Sequence, residues 1–245
     1  MKVVITGAGG FIGGRLANAL LKIGQLSNQS GVPTAISQIS LLDVAFPGDV
    51  DPRLKCFKGD LTDASLVSEV FGNDTDAVFH LASIVSGGAE ADFDLGMTVN
   101  LDGTRALLEM ARKQVTPPRF VFSSSVAAFG ANLPAEIDDN TMPSPQVSYG
   151  VQKVCCEYLI NDYTRKGFVD GRVLRFPTVS VRPGKPNLAK SSYVSGIIRE
   201  PLNGVVARCP VSAKSSAWII SPDKVVDALI HGYNLPSSAW GVNRV

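Results

Sequence analysis

Short runs of consecutive apolar, mostly β-branched or aromatic residues alternate along this chain with longer stretches whose apolar residues recur every three to four positions. The first pattern suits strands buried on both faces of a parallel sheet, the second suits helices that cover those faces. Val3-Val4-Ile5 opens the series as a strand. Phe11, Ile12, Leu16, Leu20 and Ile23 then mark one side of a helix that Gly24 ends. A polar loop with Ser, Gln and Asn runs to Pro33, longer than most helix-to-strand connections. Ala35 to Leu42 predicts a second strand ending in Asp43, and Leu54 to Phe57 a third. Leu66, Val67, Val70 and Phe71 mark a second helix. Ala77 to Ser83 predicts a fourth strand, which enters a small-residue loop with Gly87 and Gly88. The register of Met97, Asn100, Thr104, Leu107, Leu108 and Ala111 predicts one long helix from about Asp92 to Arg112. Phe120-Val121-Phe122 opens a fifth strand that ends in Ser123-Ser124-Ser125. After a proline-containing loop from Asn132 to Pro145, the pattern predicts a helix from Tyr149 to about Tyr163, then a sixth strand from Val173 to Phe176. Beyond Pro177 the periodicity weakens. Short helices are expected at Ser192 to Leu202 and at Pro222 to His231.

Regular alternation of strand and helix predicts an α/β fold, a doubly wound parallel sheet of the Rossmann type. Residues 1–175 form its nucleotide-binding domain, and residues 176–245 a small C-terminal substrate lobe interleaved with the sheet. In such sheets ligands bind beyond the carboxyl ends of the strands. The first strand runs straight into Thr6-Gly7-Ala8-Gly9-Gly10-Phe11-Ile12-Gly13 and then a helix, a context that gives the glycine pattern its meaning. Gly7 permits the tight turn, Gly10 lets a pyrophosphate approach the backbone, and Gly13 lets helix and strand pack closely. Free N–H groups at the helix start face the phosphates. Asp43, at the end of the second strand, can bond both ribose hydroxyls and repels a 2′-phosphate, which argues for NAD over NADP.

Bulk properties narrow the field. A chain of 245 residues with a net charge of +1 gives no reason to expect nucleic acid or an anionic membrane as partner. There is no transmembrane run, and the apolar start is too short for a signal peptide, so a cytoplasmic location is expected. Cys56, Cys155, Cys156 and Cys209 lack CxxC spacing and read as reduced packing residues, with no metal site. His80, inside an apolar strand, reads as a buried and satisfied histidine. Asn100 lies on a largely apolar helix side and therefore needs a specific partner.

Ser148-Tyr149-Gly150-Val151-Gln152-Lys153 carries the candidate chemistry. Tyr149 and Lys153 are four residues apart and share one helical face. A phenol has a reference pKa of about 10. A neighbouring cation favours the phenolate and makes it a usable base near neutral pH. Alone, such a pair is common in helices; the glycine loop adds the site of a hydride acceptor.

With these motifs the chain resembles the extended short-chain dehydrogenase/reductase family, also called the NAD-dependent epimerase/dehydratase family. The resemblance covers nearly the whole chain. It implies NAD as cofactor, with Gly7, Gly10, Phe11, Ile12 and Gly13 at the pyrophosphate, Asp43 at the ribose, and Asp60-Leu61 at the adenine. Leu81-Ala82-Ser83, after His80, would lie along the cofactor, with Asn100 and Ser123 beside it and Phe176 and Thr178 at the nicotinamide end. Ser125 would bond the reacting oxygen. Tyr149 would act as base, and Lys153 would lower its pKa and hold the nicotinamide ribose. A homodimer through the helices near Asp92–Arg112 and Tyr149–Tyr163 is common in the family.

Departures from the family pattern select among its activities. Ser125 is followed by Val126-Ala127-Ala128-Phe129-Gly130, without the acid that dehydratases and decarboxylases carry. Sugar epimerases usually have a tyrosine where this chain has Phe129. The segment Val181 to Asn187, then Ser191-Ser192 and Ile197 to Leu202, is similar to the sugar-acid branch, whose reaction is oxidation of a C2 hydroxyl to a 2-oxo acid. A substrate carboxylate needs a cation, and an arginine fork binds it bidentately. Arg182 and Arg199 are the candidates in that half of the chain; the alternative is surface arginines paired to carboxylates. Family members usually continue past Asn243-Arg244-Val245, so the substrate lobe is expected to be incomplete. The leading expectation is an NAD-dependent dehydrogenase of a small sugar acid. The alternatives are a nucleotide-sugar 4-epimerase that holds NAD tightly and a non-enzymatic NAD sensor, a class that usually lacks the Tyr/Lys pair.

Overall fold

Six parallel strands form the central sheet: β1 (Lys2–Thr6), β2 (Gln38–Asp43), β3 (Leu54–Lys58), β4 (Ala77–His80), β5 (Arg119–Ser125) and β6 (Asp170–Phe176). Their order is β3-β2-β1-β4-β5-β6, with every neighbouring pair parallel. The computed structural model describes residues 1–245 except Pro47, Asp49, Pro186, Asn187 and the side chain of Lys190. The strand order reverses between β1 and β4, which opens a crevice at their carboxyl ends. Thr6 lies there beside both Leu42 and His80, and Ser125 lies beside Phe176. The expected Rossmann sheet is therefore the observed one.

Alternate residues of each strand face opposite layers. Val3, Ile5 and Phe79 bury against α1 (Phe11–Ile23), whose Leu16 and Leu20 are fully enclosed. Val4, Val78, Phe120 and Phe122 bury on the other face. That face is covered by α2 (Ala64–Phe71) and by the helices that follow β4 and β5.

Four local features differ from the expected pattern. The polar stretch after α1 is not a simple loop, since Gln25–Ser27 pairs antiparallel with Pro33–Ala35. Gly24, with φ 69°, turns the chain back, and the Asn28 side chain accepts from the N–H groups of Ser30 and Val32 to close the hairpin. The second sheet strand consequently begins at Gln38 rather than Ala35. Gly87 and Gly88 lie in a short helix, α3 (Ser86–Ala91), rather than in a loop.

The single long helix expected from Asp92 to Arg112 is broken. Asp92 is extended and caps α4 (Phe93–Gly96) by accepting from the Leu95 N–H. The chain then widens through Met97–Asp102, where the Gly103 N–H reaches back to Thr98 O, before α5 (Gly103–Arg112) resumes normal winding. A Cβ on Gly103 would lie 1.9 Å from Leu61 Cδ1, so that side chain would have to move. Such wide turns cluster at functional sites.

The final long helix, α8 (Pro222–Asn234), returns to the sheet, and its Val225, Val226, Leu229 and Tyr233 join the α1 side of the core. Its carboxyl end sits on two buried arginines. Arg172 Nη1 donates to Gly232 O at 2.7 Å and Leu235 O at 2.6 Å, and Arg119 Nη1 donates to Tyr233 O at 3.2 Å. Cations belong at this end of a helix, where carbonyls lack intrahelical donors. The excursion from the sheet thus runs between Thr178–Val179 and Ile219–Ile220, which pair with each other as short parallel strands. It carries α7 (Tyr193–Leu202).

Candidate active site

The glycine turn is shaped by what surrounds it. Gly7 has φ +69°, and a Cβ there would lie 2.5 Å from the Ala82 nitrogen. A Cβ on Gly13 would overlap the Gly7 carbonyl, and one on Gly9 would overlap the Ala45 carbonyl. Gly9 is thus as constrained as its neighbours, although the spacing argument assigned it no role. Gly10 meets only Gly7 O, at 3.1 Å, and leaves the helix start open. It supplies no capping side chain, and helix geometry leaves the first N–H groups of α1 without intrahelical partners. An anionic dinucleotide fits this cradle, because its phosphates can take those donors and its backbone approach is unobstructed.

Asp43 ends β2 beside that cradle. Its Oδ2 accepts from the Gly9 N–H at 2.9 Å and its Oδ1 from the Ala45 N–H at 3.3 Å. A carboxylate has about four lone-pair sites, so acceptor capacity for ribose hydroxyls is left. Asp60 is exposed, and its Oδ1 accepts from the N–H and hydroxyl of Thr62 at 2.9 and 2.8 Å. Leu61 is buried in the core behind it.

His80 is fully buried, between Thr6 Oγ1 at 2.6 Å and Thr104 Oγ1 at 2.8 Å. Burial, helped by the charge of Lys153, pushes its pKa down to about 3, so it is neutral. It braces the crevice from below. Asn100, counted above among the cofactor contacts, has several partners within the protein. Its Oδ1 accepts from the Ile84 N–H at 2.7 Å, and its Nδ2 donates to Ile84 O at 3.0 Å and Gln152 Oε1 at 2.7 Å. Its backbone carbonyl, in the wide turn, accepts from Thr104 Oγ1 at 2.6 Å. Asn100 is therefore engaged within the protein and fixes the loop after β4 against α6 (Ser148–Arg165).

Ser125 and Tyr149 come together because α6 starts hard against the turn that follows β5. Ser125 Oγ accepts from the Ala127 N–H at 3.1 Å, and a Cβ on Gly150 would overlap Ala127 O. Gly150 is a second residue whose need was visible only in three dimensions. Burial pushes the Tyr149 phenol up to about 12, and the hydroxyls of Ser83 and Ser125 work against that shift.

Lys153 lies on the same face of α6 as Tyr149, against β5. Its Nζ donates to Ser123 O at 2.9 Å and lies 4.5 Å from the Phe122 ring centre and 5.5 Å from that of Tyr149. In this geometry the ammonium is turned to β5. Burial lowers its own pKa to about 8, against the opposing charge of Glu157. Ser123, expected at the cofactor, thus acts through its carbonyl as the anchor of Lys153.

A cavity of about 390 Å³ opens above these groups, lined by Ser125, Tyr149, Thr178, Ser192, Arg182 and Arg199 among others. Both candidate arginines therefore face the reacting pair. They are not equivalent. Arg199 Nη1 donates to Arg182 O at 2.7 Å and its Nη2 is paired with Glu200. Arg182 Nη1 donates to Lys185 O at 2.9 Å, and this residue also lines a second cavity, of about 420 Å³, beside Gly9, Gly10 and Phe11. Phe176 is buried as part of the core. From the segment similar to the sugar-acid branch, Pro186 and Asn187 lie outside the described residues. Among the described residues no group of three His, Cys, Asp or Glu could hold a metal ion, and no helix is long and apolar enough to cross a membrane. The four cysteines are free thiols.

The chain resembles known proteins over its whole length. It is 54% identical over 246 residues to the D-erythronate dehydrogenase of Cupriavidus necator, covering 100% of this chain and 76% of that protein. It is 51% identical over 239 residues to the D-erythronate dehydrogenase of Haemophilus influenzae, covering 97% and 73%. Among solved structures, the nucleoside-diphosphate-sugar epimerase of Agrobacterium tumefaciens superposes with a TM-score of 0.90 at 41% identity, covering 100% of this chain and 72% of that one. The model of the NAD-dependent epimerase/dehydratase family matches residues 3–214. With the reversed-order sheet, the glycine cradle and the Ser125–Tyr149–Lys153 cluster in place, the chain belongs to the NAD-dependent epimerase/dehydratase family.

Proposed function

We propose that this protein is an NAD-dependent dehydrogenase that oxidises the C2 hydroxyl of D-erythronate, or of a closely related small sugar acid, to the 2-oxo acid. The observation that carries this reading is the cavity in which Arg182 and Arg199 stand over Ser125 and Tyr149. A 2-hydroxy acid presents a carboxylate one bond from its reacting carbon, so a cation and a base must share one small space. The identity to two D-erythronate dehydrogenases supports the substrate class.

Bound NAD supplies the acceptor for the hydride that leaves C2. Gly7, Gly10, Phe11, Ile12 and Gly13 hold its pyrophosphate, Asp43 its adenine-side ribose and Asp60-Leu61 its adenine, while Leu81-Ala82-Ser83 run along it. Phe176 and Thr178 border the nicotinamide end. Tyr149, as phenolate, takes the hydroxyl proton. Ser125 bonds the same substrate oxygen as it becomes a carbonyl. Lys153 keeps two of its three donors beyond Ser123 O, enough to hold a ribose hydroxyl. Arg182 takes the substrate carboxylate, and Arg199 fixes the backbone of Arg182.

The likeness to a sugar epimerase structure keeps a second reading, a nucleotide-sugar 4-epimerase with tightly held NAD. A screen of free C4 to C6 sugar acids and nucleotide sugars, followed by NADH absorbance, separates the two. An epimerase releases no NADH. The dehydrogenase reading places the enzyme in the cytoplasm. It also pairs two copies through the helices that expose Phe93, Val151 and Tyr158, and sedimentation would show the dimer as twice 25.9 kDa.

A further inference from the structure

Glu157 follows Lys153 by one turn on the same face of α6, and both side chains are buried. They reach consecutive residues of β5. Lys153 Nζ donates to Ser123 O, and Glu157 accepts from the Ser124 hydroxyl. The carboxylate is also clasped from β6. Arg175, beside Ser124 in the sheet, donates from Nε to both Glu157 oxygens at 3.1 and 3.2 Å, and from Nη2 to Oε2 at 2.6 Å. One helix and two strands thus meet on a single carboxylate.

A buried ion pair is weak evidence for stability, because desolvation can cost as much as the attraction returns. Its place gives a better reason for it. Ser124 sits between Ser123, whose carbonyl holds Lys153, and Ser125, which lines the cavity with Tyr149. Holding Ser124 holds the backbone on either side of it. The Arg175 guanidinium also lies 5.1 Å from the ring centre of Phe129, whose N–H closes the turn that follows Ser125 by donating to Val126 O.

The groups around Lys153 agree with this. His80 of β4 is neutral, and on α6 burial pushes the Cys156 thiol up to about 11 and the Tyr149 phenol up to about 12. The charge of Glu157 favours the ammonium. Beyond it, Asp139, Tyr158 and Arg244 line a cavity of about 660 Å³ together with Glu157 and Arg175.

We propose that Glu157 is a positioning residue for the reaction: tied to Ser124 and Arg175, it fixes the end of β5 on which Lys153 rests and gives that ammonium its buried counter-charge. It acts through Lys153 and Ser125. This rests on the reading of Tyr149 and Lys153 as the reacting pair, but it does not depend on which alcohol is oxidised.

The first test reads Lys153 without turnover. Protein with lysine isotope-labelled at Cε is titrated by NMR with NAD bound, and the Lys153 signal is identified by its loss in Lys153→Met. Glu157→Gln keeps the shape and removes the charge. It is expected to move the Lys153 titration downward by about one pH unit, a roughly tenfold change in the equilibrium. The second test separates the strand from the charge. Ser124→Ala leaves the ion pair and frees the strand end, so the titration should stay in place while kcat falls about tenfold and KM for NAD stays within about twofold. A pair that only holds the fold would lower the melting temperature and move neither readout. An unmoved Lys153 titration in Glu157→Gln overturns the proposal, and so does an unchanged kcat in Ser124→Ala. If the wild type forms no NADH with any sugar acid, the dehydrogenase reading has failed, and the Lys153 titration still decides the role of Glu157.

Discussion

Lys153 Nζ is held by the carbonyl oxygen of Ser123, at 2.9 Å, so the cation paired with Tyr149 by sequence spacing is tied to the central sheet. Lys153 is 2% exposed, and its ammonium meets an aromatic face and one carbonyl, a poor exchange for water. Lys153→Met is therefore expected to lower turnover at least a hundredfold without lowering the melting temperature. A thermal scan beside the kinetics checks it. A large drop in melting temperature would make Lys153 a structural residue.

His80 couples the crevice to pH. Its folded pKa, about 3, lies below the ordinary 6.5. Above pH 6.5 neither state binds the proton, and the histidine costs nothing. As pH falls from about 6.5 towards 3, only the unfolded state takes it up, and stability is lost at about 1.4 kcal/mol per pH unit from this group. Urea midpoints across that range should fall less steeply in His80→Gln than in the wild type. Equal slopes would show that His80 is not the group responsible.

Asp43→Ala removes the acceptor of the Gly9 N–H along with the ribose ligand. NAD affinity should drop by about ten- to hundredfold, the cost of losing charge-assisted hydrogen bonds. Discrimination against NADP should shrink at the same time. Titration with both dinucleotides reads this directly, and a wild-type preference for NADP would contradict the assignment.

Arg182→Met should raise KM for the sugar acid about ten- to hundredfold, because a carboxylate loses its fork. NAD affinity should change little. This residue also lines the cavity at Gly9 and Gly10, so the opposite split, weakened NAD with unchanged KM, would assign it to the phosphates instead.

What was legible in the sequence follows from how local each feature is. The six strands, the glycine turn and the Tyr149/Lys153 pair rest on periodicities and spacings of a few residues, and Ser125 on the family resemblance. The wide turn at Asn100 rests on a Gly103 N–H reaching five residues back, while its apolar register still reads as one continuous helix. The hairpin after α1 is polar and short, with only Gly24 and Asn28 to announce it. Gly9 and Gly150 are needed because of Ala45 and Ala127, which come close only in the fold. The partner of Lys153 is a backbone carbonyl, and no side-chain pattern marks a carbonyl.

The central claim is that Tyr149 removes the hydroxyl proton of a small sugar acid while NAD is reduced. Purified protein mixed with NAD and D-erythronate should form NADH stoichiometrically with the 2-oxo acid. Tyr149→Phe should bind NAD with near-normal affinity and turn over at least a thousandfold more slowly, on the scale of losing a general base. Unchanged turnover in Tyr149→Phe, or NADH formation with no sugar acid at all, would contradict the account.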